Sequence, residues 1–451
     1  MTLTRHVTVM VRVTVTVSPG PLRVKRSPPA HQSDIAPSYS EEIHTRVLTQ
    51  RTSVHELRFS LRSAKREPRA SKNLARPSAE MSGDEPQQRV ALVGSGNWGS
   101  AIARLVGDNV RRLGRFHPAV RMWVFDELVS VGGVDTSLVD VINTTHINAK
   151  YLPGFELPHN VRAVRDLAEA VEGATLLVFV LPHQFLSRAL PVIRAALGTD
   201  ALASGRVRAL SLIKGIDVEP QRGGLGLISH AISAGLAGAR CDVLMGANVA
   251  SEVASGQFCE ATVGTRGPAA DAEVWCELLR TRFFGVRVCA NGDAVELCGA
   301  LKNVVALSCG FALAQGLGTN TLAALIRIGA GEMLHFIRAF HDPTAAAETL
   351  LESCGVADLI TSCFGGRNAK CAEAFVRTGR DWAELERELL DGQKLQGTLT
   401  CSAVQRVLQR AGCPPGDFPL FSTTHAIMVR EAPPSALVEM HERTRLPAPL
   451  A

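Results

Sequence analysis

Residues Arg89 to Ser100, Arg-Val-Ala-Leu-Val-Gly-Ser-Gly-Asn-Trp-Gly-Ser, constrain this chain more than any other stretch. Four apolar residues, Val90 to Val93, run straight into Gly94-x-Gly96-x-x-Gly99, and an alanine-rich helical run, Ala101 to Val106, follows at once. A strand, a glycine turn and a helix start in that order suit a dinucleotide pyrophosphate, because the helix N-terminus offers N–H groups and a partial positive charge. In such a turn Gly94 permits the tight bend, Gly96 lets phosphates approach the backbone, and Gly99 lets the helix pack on the strand. Ordinary βα turns also use glycine, so the motif needs support from the rest of the chain.

At 451 residues the chain is too long for one ordinary domain, and two are expected. Its 46% hydrophobic and 20% charged residues are those of a soluble globular protein. The net charge of +5 is misleading, since residues 1–80 carry 14 Lys/Arg against 6 Asp/Glu and the remainder is slightly acidic. No basic face therefore argues for nucleic acid. All eleven cysteines fall from Cys241 onward, with no Cys-x-x-Cys pair. This reads as reduced core cysteine in a reducing compartment, and no metal site is expected. No apolar run is expected to span a membrane.

Residues 1–88 differ from the rest. Val7 to Val17 alternates like a strand, and a Pro/Ser/Arg-rich stretch follows. Three readings stand: an organelle transit peptide, a disordered tail, or sequence upstream of an internal start at Met81. From 89 to 290 the pattern is α/β. Val120–Phe125, Ala174–Leu181, Arg206–Ile213 and Asp242–Met245 read as strands, the apolar ones buried on both faces of a parallel sheet. Ligands in such sheets bind at the carboxyl ends of the strands, here Pro182–Phe185, Lys214-Gly215 and Gly246–Glu252. From 291 to 435 long helical patterns take over, at Val295–Ala314, Thr321–Phe340, Ala369–Arg377, Trp382–Leu390 and Ser402–Arg410. Residues 436–451 read as a tail. The expected fold is α/β: a doubly wound Rossmann-type domain followed by an all-helical one, with a cleft between them.

Asp126, just past the second strand, is either an acid for the adenosine ribose, although further from Gly94 than the usual spacing, or a surface acid. Phe125 and Phe185 end two strand segments taken as neighbours, and each either flanks an adenine or packs in the core. Lys302 stands in the apolar run Gly299-Ala-Leu-Lys-Asn-Val-Val-Ala. Burial there lowers a lysine pKa, and such a lysine can exchange a proton with an alcohol; the alternative is a lysine snorkelling to the surface. Lys214 nearby lowers that pKa further, and Asp358 in its apolar setting needs a cation such as Lys302 or Lys214. Arg367 and Asn368 follow Gly365-Gly366, read as two flexible residues before a helix N-terminus. That arrangement suits a phosphate, or else is a helix cap with a solvated arginine. Lys394, in the glycine-bounded Gly392-Gln-Lys-Leu-Gln-Gly397, is a cofactor clamp or a solvated turn.

Several ordered motifs together resemble the NAD-dependent glycerol-3-phosphate dehydrogenases of the eukaryotic cytosolic or glycosomal type. They are Gly94-Ser-Gly-Asn-Trp-Gly-Ser-Ala, Leu181–Phe185, Ser211–Gly215, Gly246–Glu252, Cys298–Val305, Glu352–Ile360, Gly365–Asn368 and Gly392–Gly397. The resemblance runs from about Arg89 to Met428 and implies a fold of the 6-phosphogluconate dehydrogenase-like plan. It also implies reversible hydride transfer between NADH and dihydroxyacetone phosphate, giving sn-glycerol 3-phosphate, with no metal.

Matched by motif, Lys302 is the implied acid/base lysine, with Lys214 and Asp358 its charged neighbours. Asn303, Ser362, Arg367, Asn368, Asn248 and Lys214 are the implied substrate contacts. The implied NAD contacts are Gly94, Ser95, Gly96, Asn97, Trp98, Gly99, Phe125, Phe185, Lys214, Ala250, Arg367, Lys394 and Gln396. A homodimer in the cytoplasm is implied as well; the N-terminal extension leaves plastid, mitochondrion or glycosome as alternatives. Ser362 stands where the family often has threonine. Thr319 and Leu322 replace an acid and a base of the family pattern, which reads as a lost surface ion pair. A related two-domain hydroxyacid dehydrogenase and a catalytically idle NAD(H)-binding regulator are the competing readings.

Overall fold

A computed structural model describes residues 87–218, 225–390 and 393–443; the expectations for residues 1–86 and 444–451 lie outside them. Eight strands form one sheet: β1 (Val90–Val93), β2 (Val120–Trp123), β3 (Val161–Val164), β4 (Leu176–Phe179), β5 (Arg208–Ser211), β6 (Arg240–Met245), β7 (Cys259–Gly264) and β8 (Phe284–Cys289). Their order across the sheet is β8-β7-β6-β5-β4-β1-β2-β3. The first six are parallel, while β7 runs antiparallel to β6 and pairs with β8 in parallel. The order 3-2-1-4-5-6 is that of a dinucleotide-binding sheet, whose switch point lies between β1 and β4. β1 explains its own burial: Val90 and Leu92 face one core and Ala91 and Val93 the other, so an uninterrupted apolar strand is required. Phe125 and Phe185 correct one expectation, because the strands they follow, β2 and β4, are separated by β1.

Helix α1 (Asn97–Arg112) leaves the glycine turn. The helical half comprises α2 (Gly292–Ala314), α3 (Thr319–Phe340), α4 (Asp358–Gly365), α5 (Arg367–Thr378), α6 (Trp382–Leu389), α7 (Gln396–Arg410), α8 (Pro419–Met428) and α9 (Ala436–Arg443). α2 is its axis and touches α3, α4, α5, α7, α8 and the sheet strands β6 and β7. It is apolar all round because it is surrounded on all sides. A Cβ on Gly299 would lie 2.6 Å from Met245 Sδ of β6, and one on Gly310 would lie 2.3 Å from the Ala369 carbonyl of α5. Both contacts are possible only with glycine.

Two expectations change here. By length and composition α2 could cross a membrane, contrary to the reading that no segment could, but most of it is buried inside the helical core. The stretch read as a tail begins with α9, which buries Leu437 and Met440 in that core.

Candidate active site

Lys302 lies in the middle of α2, with Leu301, Val305 and Ala306 fully buried around it, and is itself only 6% exposed. The position is therefore not a snorkelling lysine. Its Nζ donates to Asp358 Oδ1 at 3.1 Å and to Ser362 Oγ. Asp358 and Ser362 stand one turn apart on α4, and the Ser362 hydroxyl also donates to Asp358 Oδ1 at 3.3 Å. From the sheet, Lys214 follows β5 and donates to Asp358 Oδ2 at 2.6 Å and to the Gly246 carbonyl at 3.1 Å. Sheet and helical half thus meet at one buried carboxylate.

The electrostatics follow from that geometry. Burial strips hydration from the Lys302 ammonium; Asp358 opposes this and Lys214 adds to it, and the pKa falls from 10.5 to about 8. For Asp358, burial pulls the pKa up, but the two ammonium groups outweigh it and hold the acid below its ordinary value. An ammonium that loses its proton easily, beside a carboxylate that keeps its charge, can exchange protons near neutral pH.

Beside Lys302, Asn303 accepts from Asn368 Nδ2 at 2.8 Å, and Asn368 Oδ1 accepts from the Gly397 N–H at 2.9 Å. Arg367 opens α5 and is exposed. It makes no ion pair among the described residues, and its Nη1 donates to Gln393 Oε1 at 3.0 Å. The two glycines before it are not a flexible spacer. Gly365 ends α4, and a Cβ on Gly366 would lie 2.5 Å from the Ser362 carbonyl, so the junction is tight.

The glycine turn fits a dinucleotide. Gly94 has φ +122°, and a Cβ there would lie 2.9 Å from the Leu181 nitrogen. One on Gly99 would lie 2.6 Å from the Gly94 carbonyl, whereas one on Gly96 would meet nothing within 4 Å. Two glycines are thus demanded by packing, and the third faces open space where a phosphate can come close. No side chain caps α1 and its first turn carries no acid, as an anion cradle requires. Of the side chains between, Asn97 donates to the Tyr151 carbonyl at 2.8 Å, and Trp98 packs against Phe284 with centroids 6.4 Å apart. Phe125 is 70% and Phe185 46% exposed, so neither is a core residue. They follow the strands on either side of β1, flanking its glycine turn.

Other residues singled out from sequence are placed as follows. Asp126 is committed to the protein, accepting from Ser137 Oγ at 2.7 Å and the Val139 N–H at 3.2 Å and pairing with Arg165 at 3.4 Å. Asn248 donates to the Glu260 carbonyl at 2.9 Å, and Ala250 begins a short helix after β6. The Ser95 carbonyl accepts from Asn148 Nδ2 at 2.8 Å. Lys394 is exposed and pairs with Glu386 at 2.7 Å. Gln396 and Gly397 belong to α7, which shortens the expected loop. The buried Gln396 Oε1 and His183 Nδ1 have no hydrogen-bond partner, and each lies 3.6 Å from the Cβ position of Gly215. Leu322 is 3% exposed, so a core leucine rather than a lost surface pair occupies that position.

Asn148, His183 and Glu386 were missed from sequence. No spacing marks Asn148 or Glu386, whereas His183 lies inside the strand-end segment Pro182–Phe185, which marked the place but not the residue.

A 3-2-1-4-5-6 sheet with its glycine turn at the switch point, joined through a buried lysine–carboxylate contact to a helical half, defines a two-part dinucleotide-dependent dehydrogenase. Residues 89–271 match the family model described as NAD-dependent glycerol-3-phosphate dehydrogenase N-terminus, and residues 292–439 match the C-terminus model. The chain belongs to the NAD-dependent glycerol-3-phosphate dehydrogenase family, and its activity is that of an NAD-dependent oxidoreductase of glycerol 3-phosphate. It is 48% identical over 346 residues to the cytoplasmic glycerol-3-phosphate dehydrogenase [NAD(+)] of Rattus norvegicus, covering 77% of this chain and 95% of that one. The human cytoplasmic enzyme gives the same values. Among solved structures, the Plasmodium falciparum glycerol-3-phosphate dehydrogenase superposes with a TM-score of 0.72 at 37% identity, covering 80% of this chain and 97% of that one. The Saccharomyces cerevisiae enzyme superposes with a TM-score of 0.70 at 40% identity, covering 79% and 100%. Neither the idle regulator nor another hydroxyacid dehydrogenase is favoured.

Proposed function

We propose that Lys302 is the proton carrier in the reversible reduction of dihydroxyacetone phosphate to sn-glycerol 3-phosphate. The observation that supports this best is the burial of its ammonium against Asp358, with a pKa of about 8. NAD(H) supplies or accepts the hydride when bound. As negative charge develops on the substrate carbonyl oxygen, the Lys302 ammonium meets it and gives up a proton, and in the reverse direction Nζ takes that proton back. Asp358 keeps Lys302 and Lys214 in register, and Ser362 orients the Lys302 amine through its hydroxyl. Arg367 and Asn368 grip the substrate phosphate, with Asn303 and Asn248 on the substrate side. The backbone of Gly94 to Gly99 holds the cofactor diphosphate, flanked by Phe125 and Phe185. Ala250, Lys394 and Gln396 contribute further contacts.

We also propose that residues 89–290 form the dinucleotide-binding domain and residues 291–435 the helical domain that supplies most of the substrate and catalytic residues, in a cytoplasmic homodimer. The likeness to enzymes named as cytoplasmic supports the cytoplasm, and the family resemblance supports the dimer, which light scattering of the purified protein tests. N-terminal sequencing of the mature protein tests the division at residue 88. The decisive measurement is NADH oxidation with dihydroxyacetone phosphate, run in parallel with NADPH. Absence of turnover with NADH would overturn the proposal.

A further inference from the structure

Glu386 is a buried carboxylate for which the chemistry above has no use. It lies beside buried Leu385 on the inner face of α6 and is only 7% exposed, whereas the two residues that follow it, Arg387 and Glu388, are exposed. An acid is seldom buried without partners that repay its lost hydration. Here both oxygens are taken: Oε1 accepts the Leu395 N–H at 3.0 Å, and Oε2 pairs with Lys394 Nζ at 2.7 Å. Both partners sit on the short strap Gln393–Gly397, whose Leu395 is the N-cap of α7 and is itself buried.

That strap reaches the proposed phosphate grip twice. Gln393 Oε1 receives the Arg367 guanidinium at 3.0 Å, and the Gly397 N–H donates to Asn368 Oδ1 at 2.9 Å. Asn368 in turn donates to Asn303, the residue beside Lys302. One carboxylate therefore fixes the segment that sets both the arginine and the asparagine. There is no room for slack at the far end, because a Cβ on Gly397 would lie 2.5 Å from Asn368 Oδ1.

We propose that Glu386 is a positioning residue for phosphate recognition, holding the strap at Leu395 and Lys394 so that Gln393 and Gly397 orient Arg367 and Asn368. The inference rests on the reading of Arg367 and Asn368 as the phosphate grip. A small substrate held by its phosphate gains rate from that grip, and a displaced grip loses the gain without touching the proton carrier.

The test compares dihydroxyacetone phosphate with unphosphorylated dihydroxyacetone as substrates of the full chain. In Glu386→Ala, kcat/KM for the phosphorylated ketone falls about tenfold or more, chiefly through KM, the scale of one lost hydrogen bond to a charged group. With NADH saturating, so that any effect through Lys394 and Gln396 on cofactor binding is removed, activity on dihydroxyacetone stays within about twofold, which general damage to the fold would not allow. Glu386→Gln keeps an oxygen for the Leu395 N–H and recovers most of the preference. Gln393→Ala lowers the preference in the same direction. If Glu386→Ala does not fold, Glu386→Asp, whose carboxylate is drawn back by one methylene, carries the same expectation. Equal proportional losses on both substrates, or an unchanged preference, overturn the inference. If the wild-type protein itself shows no preference for the phosphorylated ketone, it is the reading of Arg367 and Asn368 that fails.

Discussion

Lys302 and Lys214 hold opposite oxygens of a single carboxylate, Asp358, at 3.1 and 2.6 Å. Two cations share one anion, so the cluster carries excess positive charge in a place poor in water. The deeper ammonium bears most of the cost: the Lys302 side chain is 8% exposed and that of Lys214 is 27%. The pH dependence of the reaction follows. Ketone reduction needs the protonated lysine and declines as pH rises through about 8, whereas alcohol oxidation needs the neutral amine and climbs over the same range. Initial rates in both directions from pH 6 to 10 check this, and a pair of profiles with the same slope would contradict it.

Removing the amine separates chemistry from binding. Lys302→Ala is expected to lower kcat about a hundredfold or more, within the range of general acid–base help. NADH binding, followed by its fluorescence, is expected to persist because the glycine turn is untouched. Normal turnover in this variant would exclude Lys302 as the proton carrier.

Arg367 has no carboxylate partner among the described residues, and its guanidinium donates to Gln393 Oε1. Arg367→Ala is expected to raise KM for dihydroxyacetone phosphate roughly a hundredfold, the scale of a lost bidentate anion contact. Steady-state kinetics decide, and a level KM would remove Arg367 from the phosphate site.

Gly397 lies against Asn368 with no space for a methyl group. Gly397→Ala displaces the Asn368 amide, breaking its bonds to the Gly397 N–H and to Asn303 together. KM for the phosphorylated substrate is expected to rise roughly fivefold or more, while folding stability falls by about 1–3 kcal/mol. Unchanged kinetics with unchanged stability would show that the strap yields without consequence.

A pH effect on stability, remote from catalysis, comes from Glu332. This buried acid of α3 accepts the N–H groups of Leu420 and Phe421 at the start of α8, at 2.7 and 2.9 Å. Burial raises its pKa from 4.5 to about 7 even though both bonds favour the anion. The folded state therefore holds the proton more tightly than the unfolded state. The resulting stabilisation is complete below about 4.5 and is lost as pH rises through about 7. Urea unfolding is expected to show roughly 2–3 kcal/mol less from this group at pH 8 than at pH 4.5. In Glu332→Gln that share of the pH dependence disappears, and an identical profile would refute the assignment.

What could be read from sequence was what periodicity and burial write into it. β1 and β4 are unbroken apolar runs because both their faces are covered, and α2 and α3 keep a helical pattern for more than twenty residues. β3 was not recognised because Arg162 interrupts four residues, and β7 because its Glu260 faces out and breaks the apolar run. At the site, the apolar surroundings of Lys302 left burial and a snorkelling lysine both open, and the fold decides for burial. Apolar runs do not encode strand order, so Phe125 and Phe185 read as the ends of neighbouring strands although β1 lies between them. Glu386 was illegible: it is one acid among several in Glu384-Leu-Glu-Arg-Glu388, and only the fold turns it inward. For Asp126 the sequence left a ribose acid and a surface acid both open, and the fold gives its oxygens Ser137, Val139 and Arg165 as partners.

Glycine at 299 and 310 leaves α2 with no tolerance for bulk on either side of its lysine. Redesign of this scaffold toward a larger ketone consequently has to be written elsewhere, at the α4–α5 corner and in Gln393–Gly397. The mast that carries the amine stays as it is.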